Sequence, residues 1–532
     1  MPRLTDLRLP IDHDQETLDA AIRARFGLDE AAPLTWSIAR RGYDARRKGA
    51  VQLVYSIDVN VPAESTVPDA GIGPVPDSFY RLVTRAPARL TSRPVVIGTG
   101  PSGLFAALVL AEMGFRPIVL ERGRIVRERT KDTWALWRKG VLLPESNAQF
   151  GEGGAGTFSD GKLYSGIKDA RDLGRKVLAE FVSAGAPEEI LWSAKPHVGT
   201  FRLVTVVEGI RAKIEALGGE YRFGARVTGL NIATATDGSR KVRAVELASG
   251  EAIATDHVVL AIGHSARETF HMLHERGVFM EPKPFSVGVR IEHPQSLIDR
   301  ARFGRFAGHP LLGAADYKLV HHAKNGRSVY SFCMCPGGRV VAATSEPGRV
   351  VTNGMSQYSR AEFNANAGIV VGITPEDYPG GAMAGIEFQR HWESLAFTAG
   401  GGDYAAPCQT VGDFLAGRAS TEVGSVVPSY QPGVRVTGLA ACLPDYAIEA
   451  IREALPQFDR RIPGFAMADA VMTGVETRTS SPLRITRDKV FQSVNTKGLY
   501  PAGEGAGYAG GILSAGVDGI KSAEAVGLAI AG

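Results

Sequence analysis

Residues 95 to 121 hold the strongest constraint on what this chain can fold into. Val95, Val96 and Ile97 form a β-branched run that feeds Gly98-Thr-Gly100-Pro-Ser-Gly103; an apolar helix is expected from Leu104 to Met113, and Ile118-Val-Leu-Glu121 restores a strand ending on a carboxylate. Strand, glycine turn, helix and strand within about thirty residues make one βαβ unit of a parallel sheet. Glycines at these spacings allow a tight turn, let backbone approach a pyrophosphate and let the helix pack on the strand, while the helix amides face the negative charge. Gly98, Gly100, Pro101, Ser102 and Gly103 are therefore expected to bind a dinucleotide. Glu121 is expected to accept the hydroxyls of its ribose, with Arg122 beside it.

The bare glycine pattern is weak, since Gly151-Glu-Gly153-Gly-Ala-Gly156 and Gly505-Ala-Gly507-Tyr-Ala-Gly510 also match it. Neither is followed by a second strand ending on a carboxylate, and the first follows no strand. With 532 residues, 44% of them hydrophobic, the chain is long enough for two to four domains with large cores. Lysine and arginine exceed aspartate and glutamate by only 60 to 56, which argues against nucleic acid or an anionic membrane as partner. The first residues lack the apolar stretch of a signal peptide and no later segment reads as a span, so a cytoplasmic location is expected. Cys333, Cys335, Cys408 and Cys442 give no disulfide framework and no zinc spacing, so no metal is expected.

About ninety residues precede the fingerprint. A strand at Leu7 to Ile11, a helix from Glu16 to Phe26 and strands at Leu34 to Arg40 and Val51 to Val59 suggest a small α+β domain. Arg40 to Lys48 reads as a basic, solvated hairpin tip, with docking of a partner as the alternative. The Pro/Gly-rich stretch from Val61 to Pro76 reads as a linker. After Glu121, a helix from Val204 to Leu217, a strand from Glu220 to Leu230, a hairpin over Val242 to Thr255 and the apolar strand from Val258 are expected to complete the parallel sheet. From Pro282 to Ala470 β-runs dominate, as in a mixed-sheet domain set into the first. The predicted fold is thus α/β: an N-terminal α+β domain over 1–88, a Rossmann-like nucleotide domain over 89–281 closed by 471–532, and an inserted substrate domain over 282–470.

Some 400 residues separate the first βαβ unit from the closing strand, glycines and helix at Tyr500 to Leu528, a separation usual in glutathione-reductase-like flavoproteins. In that arrangement Gly503 and Glu504 meet the ribityl chain, and the helix after Gly511 and Ile512 points at the flavin pyrimidine. The strings Gln149-Phe-Gly-Glu-Gly-Gly-Ala-Gly-Thr-Phe-Ser-Asp-Gly-Lys-Leu, Lys195-Pro-His197-Val-Gly-Thr200, Ser331-Phe-Cys-Met-Cys-Pro-Gly-Gly, Asn364-Ala-Asn-Ala-Gly-Ile-Val-Val and Glu476-Thr-Arg-Thr-Ser-Ser-Pro narrow the likeness. Over nearly the whole chain they resemble the uncharacterised family of bacterial and plastid FAD-dependent dehydrogenases. The resemblance implies FAD and the fold. The Gly-Glu closure is also similar to fumarate-reductase-like and aspartate-oxidase-like flavoproteins.

An FAD protein needs position, a proton donor and electrostatics around the flavin. Gly154, Thr157, Asp160 and Lys162 are expected against the isoalloxazine, with Val227 and Gly263 completing the nucleotide site. His197 is the candidate general acid, since histidine titrates near neutral pH; Asp160 and Lys162 are the other catalytic candidates, and each residue also has a purely structural reading. Arg478 either grips a substrate carboxylate or pairs with Glu476. Cys333 and Cys335 are expected on one face of a strand, where they either form a thiol pair beside the flavin or are buried and inert; the inert reading is preferred because adjacent same-face positions lie near the upper limit for a disulfide. No second nicotinamide fingerprint is evident, so NADH or NADPH would visit the flavin without its own domain, or another reductant would serve. These readings predict an FAD-dependent oxidoreductase acting on a small or lipophilic organic substrate, against two rivals, a flavin monooxygenase and a non-catalytic flavin-bearing scaffold that engages a partner through its N-terminal domain.

Overall fold

The computed structural model describes residues 1–47, 49–61 and 71–532. At its centre five parallel strands lie in the order Leu499–Pro501, Val258–Leu260, Val95–Ile97, Ile118–Leu120 and Glu220–Arg222. The apolar runs of the first four follow from burial on both faces, while Glu220–Arg222 at the edge is half-buried. Alternation along each strand splits the side chains: Val96 and Val259 join the core of the helices, whereas Val95, Ile97, Val258 and Leu260 join the core on the opposite face. Helices Pro101–Glu112 and Ile512–Ala531 pack against each other in the first of these cores.

The opposite face is covered by a three-stranded antiparallel sheet of Ala252–Ala254, Arg240–Leu247 and Val227–Thr234. This corrects the expected single strand from Glu220 to Leu230. The chain breaks after Arg222, Gly224 takes φ +65°, and the second half pairs with Arg240–Leu247 instead. The hairpin therefore builds its own layer and adds nothing to the parallel sheet.

A seven-stranded sheet is drawn from residues 285 to 476, in the order Val320–His322, Ser328–Cys335, Asn364–Ile373, Phe285–Pro294, Val471–Glu476, Ala406–Thr410 and Val434–Val436. It is antiparallel except for the last pair. Its central strands, Phe285–Pro294 and Asn364–Ile373, are buried along almost their whole length. Met280–Pro282 and Leu483–Ile485 pair antiparallel where the chain leaves for this sheet and returns from it.

The N-terminal sheet runs Thr35–Asp44, Gln52–Asn60, Pro2–Pro10, Ile72–Pro74 and covers helix Gln15–Phe26. Asp14 caps that helix by accepting the Thr17 amide at 2.8 Å, and Gly27 ends it at φ +62°. The basic tip expected over Arg40 to Lys48 is half strand: Arg41 exchanges backbone hydrogen bonds with Trp192 and Ala194, and its guanidinium lies 4.5 Å from the Trp192 ring centroid. Lys48 lies outside the described residues. So does most of the linker expected from Val61 to Pro76, whose end, Ile72–Pro74, is a strand paired with Pro2–Leu4.

Candidate active site

The carboxyl ends of the parallel strands and the near wall of the seven-stranded sheet enclose a cleft of about 670 Å³. Four strand ends open onto it, at Gly98, Glu121, Gly263 and Gly503, as expected for a ligand site in a parallel α/β sheet. Gly98 turns at φ +96°, and a Cβ there would meet the Ala261 carbonyl oxygen at 2.3 Å. Helices Pro101–Glu112 and Ile512–Ala531 both begin at this cleft on glycine N-caps, Gly100 and Gly511, without a side-chain cap. Their free amides carry partial positive charge.

Further groups await a ligand. Ser102 Oγ and His264 Nε2 are buried without a hydrogen-bond partner, and both residues line the cleft. A Cβ on Gly511, at φ +88°, would project into open space. Two uncapped helix ends, an orphaned hydroxyl beside the first and open room beside the second fit a dinucleotide with its pyrophosphate at Gly100.

Of the expected cofactor contacts, Gly98, Gly100, Pro101, Ser102, Glu121, Arg122, Gly154, Val227, Gly263, Gly503, Glu504, Gly511 and Ile512 line this cleft. Two do not. Gly103 serves packing, since a Cβ there would meet the Gly98 carbonyl oxygen at 1.9 Å. Thr157 is buried behind its loop, its hydroxyl against Gly153 and without a hydrogen-bond partner.

Glu121 is placed as expected but already occupied. One carboxylate oxygen accepts the Thr99 amide at 3.1 Å and hydroxyl at 2.6 Å, and the other accepts the amides of Gly123 at 2.9 Å and Gly151 at 3.0 Å. A carboxylate offers about four acceptor positions, so the ribose finds none free. Glu121 ties three turns together. Glu504 contrasts with it: among the described residues its one ionic neighbour within 4 Å is His264 Nδ1, at 3.7 Å.

The catalytic candidates divide. His197 does not line the cleft; it stacks on Tyr358 at 5.3 Å between centroids, its Nε2 lies 3.0 Å from the Tyr358 carbonyl, and burial with the Arg360 charge holds its pKa down. Asp160 and Lys162 do line the cleft, locked in an ion pair at 3.2 Å. Arg360 also grips Asp160, at 3.0 and 2.5 Å, and Lys162 donates to the Met334 carbonyl. Burial pushes the Asp160 pKa up, but Lys162 and Arg360 outweigh it and bring the carboxyl down to about 2. Lys162 is held above its ordinary value by Asp160 against the opposing effect of burial. Both shifts favour the charged forms, so the two side chains stand on the wall as an ion pair.

That depression sets a pH dependence. An unfolded aspartate titrates near 3.9, so the pair's contribution, about 2 kcal/mol, is present above pH ~4 and is lost as pH falls towards about 2. Acid unfolding of wild type and Asp160→Asn should show a stability gap that closes over this window; a gap independent of pH would refute the assignment.

Below the cleft wall lie two buried ion networks. Arg290 pairs with Glu476 at 2.8 and 3.0 Å. Arg478 donates to Glu393 at 3.1 and 3.0 Å, to Ser265 at 3.1 Å and to Ser345 at 2.7 Å, while Arg267 meets the same Glu393 at 2.9 and 2.7 Å. The expected pairing of Arg478 with Glu476 is therefore replaced by Glu393, and Arg478 has no free fork for a substrate carboxylate. Sequence reasoning also missed Lys283, Asn353 and Ser480 on the cleft wall. Lys283 and Ser480 sit in loops flanking strands of the seven-stranded sheet, and Asn353 on strand Thr352–Ser356, which pairs with Gly338–Ala342 in a separate two-stranded sheet; no motif marks them.

The fold and cleft define a dinucleotide-binding α/β protein. Residues 284–479 match the family described as FAD-dependent protein, C-terminal domain-like, and residues 1–60 match a domain of unknown function. An uncharacterised protein of Clostridium beijerinckii is 47% identical over 528 residues, 98% of each chain. The chain belongs to this family of FAD-dependent proteins. Similar solved structures include CtdE in complex with FAD, 11% identical, covering 82% of this chain and 84% of that one at a TM-score of 0.32. Another is a geranylgeranyl bacteriochlorophyll reductase-like protein from Thermoplasma acidophilum, 13% identical, covering 82% and 78% at 0.34. Among the described residues no helix is long and apolar enough to cross a membrane, and no cluster of three or more His, Cys, Asp or Glu could hold a metal.

Proposed function

We propose that the protein is an FAD-dependent oxidoreductase whose organic substrate lies in the cleft between the parallel sheet and the seven-stranded sheet. The observation that carries this reading is the convergence of two uncapped helix N-termini, at Gly100 and Gly511, on one cleft. Bound there, FAD supplies hydride transfer at N5. The chain does the rest. Ser102 and the amides after Gly100 hold the pyrophosphate, Glu504 accepts from a ribityl hydroxyl, and the amides at Ile512 favour negative charge on the pyrimidine edge. Lys162, held protonated by Asp160, adds positive charge on the wall. The division of the chain into 1–88, 89–281 with 471–532, and 282–470 gives the substrate two walls from different layers, and NADH or NADPH is proposed as a transient donor.

The test is direct. The purified protein should be yellow and release FAD on heating; recovery of FMN alone, or no flavin after reconstitution, would overturn the reading. Anaerobic titration with NADH and NADPH, followed by flavin absorbance, tests the donor. Glu504→Gln keeps the shape but weakens the acceptor, so FAD should bind about tenfold less tightly, about 1.4 kcal/mol. Unchanged affinity by equilibrium dialysis would remove Glu504 from the site.

A further inference from the structure

The cleft wall contains a pair of thiols in an arrangement that the sequence conceals. Strand Ser328–Cys335 pairs with Asn364–Ile373 in register as far as Phe332 opposite Gly368, then resumes at Cys335 opposite Asn366. One extra residue is accommodated in this bulge, and Cys333 takes φ +39° there. Regular extended backbone is interrupted at Cys333, and the Cys335 thiol donates to the Cys333 carbonyl at 3.3 Å. Cys333 lines the cleft with Phe332, and Cys335 is fully buried behind it.

Two cations pin this bulge. Arg290 Nη1 donates to the Cys333 carbonyl at 2.9 Å, and Lys162 donates to the carbonyl of Met334 between the two cysteines. Cys408 and Cys442 show what burial alone does in the same protein, where their thiols are pushed up to about 12 and about 11. Cys333 goes the other way. A hydrogen bond from Cys335 and the charges of Lys162 and Arg290 overcome burial and the opposing Asp160 charge and hold it well below the ordinary thiol value, while Cys335 is pushed up. Glu476 and Tyr317 are the other titratable groups facing the pair. The surroundings thus favour negative charge on Cys333, at the cleft, over Cys335 behind it, the asymmetry of reactive dithiols.

We propose that Cys333 and Cys335 form a redox-active dithiol that exchanges two electrons with the flavin of the same cleft. In the oxidising direction an S–S bond forms between the Cys333 thiolate and Cys335, the S–H bond of Cys335 breaks, and the electron pair and that one proton pass to oxidised flavin, which is reduced by two electrons. The reverse step opens the disulfide. This inference rests on the FAD reading, so its test includes measurements that need no flavin.

The full-length protein is alkylated with iodoacetamide across pH and digested for mass spectrometry. Near neutral pH Cys333 should react at least about tenfold faster than Cys408 or Cys442. Diamide treatment should yield a peptide with Cys333 and Cys335 linked, present in Cys408→Ser and absent in Cys333→Ser. In flavin-replete protein, anaerobic dithionite titration after diamide should consume about four electrons per flavin in wild type and about two in Cys335→Ser. Equal alkylation rates, no linked peptide, or a wild-type endpoint of two electrons would each overturn the dithiol. Failure to bind flavin with the linked peptide present would overturn the FAD reading and the electron exchange, leaving the disulfide itself demonstrated.

Discussion

Glu393→Ala should be the most destabilising single change in the wall of the cleft, at about 3 to 5 kcal/mol, because it strips a fully buried carboxylate from two guanidiniums at once. Arg267 is 1% exposed and Arg478 8%, and Glu393 lies between them, accepting four hydrogen bonds of 2.7 to 3.1 Å from the two. Arg267 retains Gln389 at 3.0 Å and the partly exposed Glu346, whereas Arg478 is left with two serine hydroxyls and that same Glu346 at 3.8 Å. The two arginines then repel each other at low dielectric. Burial lowers Arg478 already, and Arg267 adds to that. Urea unfolding of Glu393→Ala and of Glu346→Ala separates the roles: the half-buried Glu346 should cost less than the fully buried Glu393, and comparable losses would show that the buried centre is not the anchor. The same change should disturb the cleft, since Arg478 and Ser265 line it.

What the sequence disclosed was local. The fingerprint from Val95 to Glu121, the closing glycines and the helix after Gly511 announce themselves because each rests on neighbours in the chain: a β-branched run, a glycine spacing, an apolar helix. The order of the parallel strands joins residues up to 400 positions apart, yet its inner members were readable, since strands buried on both faces are apolar throughout, whereas the edge strand Glu220–Arg222 is polar and half-buried. Pairings set by tertiary contact were not readable. Arg478 and Glu476 are two residues apart and invite an ion pair, but they lie on a strand end where their side chains meet different layers, and each finds a partner from another element. His197 looks like an acid because of its residue type. Its backbone pairs with Lys162, and the ring is turned to Tyr358. The bulge at Cys333 follows from register against Asn366, which no pattern within Ser331 to Cys335 encodes.

Gly98→Val and Gly511→Val should both abolish the flavin, by routes that a stability measurement tells apart. Both positions take positive φ, +96° and +88°, which a β-branched residue tolerates at a cost of about 1 to 3 kcal/mol. At Gly98 a collision adds to the strain: the Cβ would meet the Ala261 carbonyl oxygen at 2.3 Å and its carbon at 2.9 Å, both backbone atoms of the loop leaving the adjacent strand. The turn cannot yield without separating Val95–Ile97 from Val258–Leu260, so overpacking costs a further 1 to 3 kcal/mol or so. At Gly511 nothing lies within 4 Å of the added Cβ. That variant should fold with only the strain penalty, but its side chain stands at the mouth of helix Ile512–Ala531, where the flavin edge needs backbone amides. FAD affinity should fall by about a hundredfold, about 2.7 kcal/mol. The expected pattern is therefore a strongly destabilised Gly98→Val and a folded, colourless Gly511→Val. A Gly511→Val protein that keeps its full flavin content would take the C-terminal helix out of the cofactor site and leave the fingerprint at Gly98 to serve some other nucleotide.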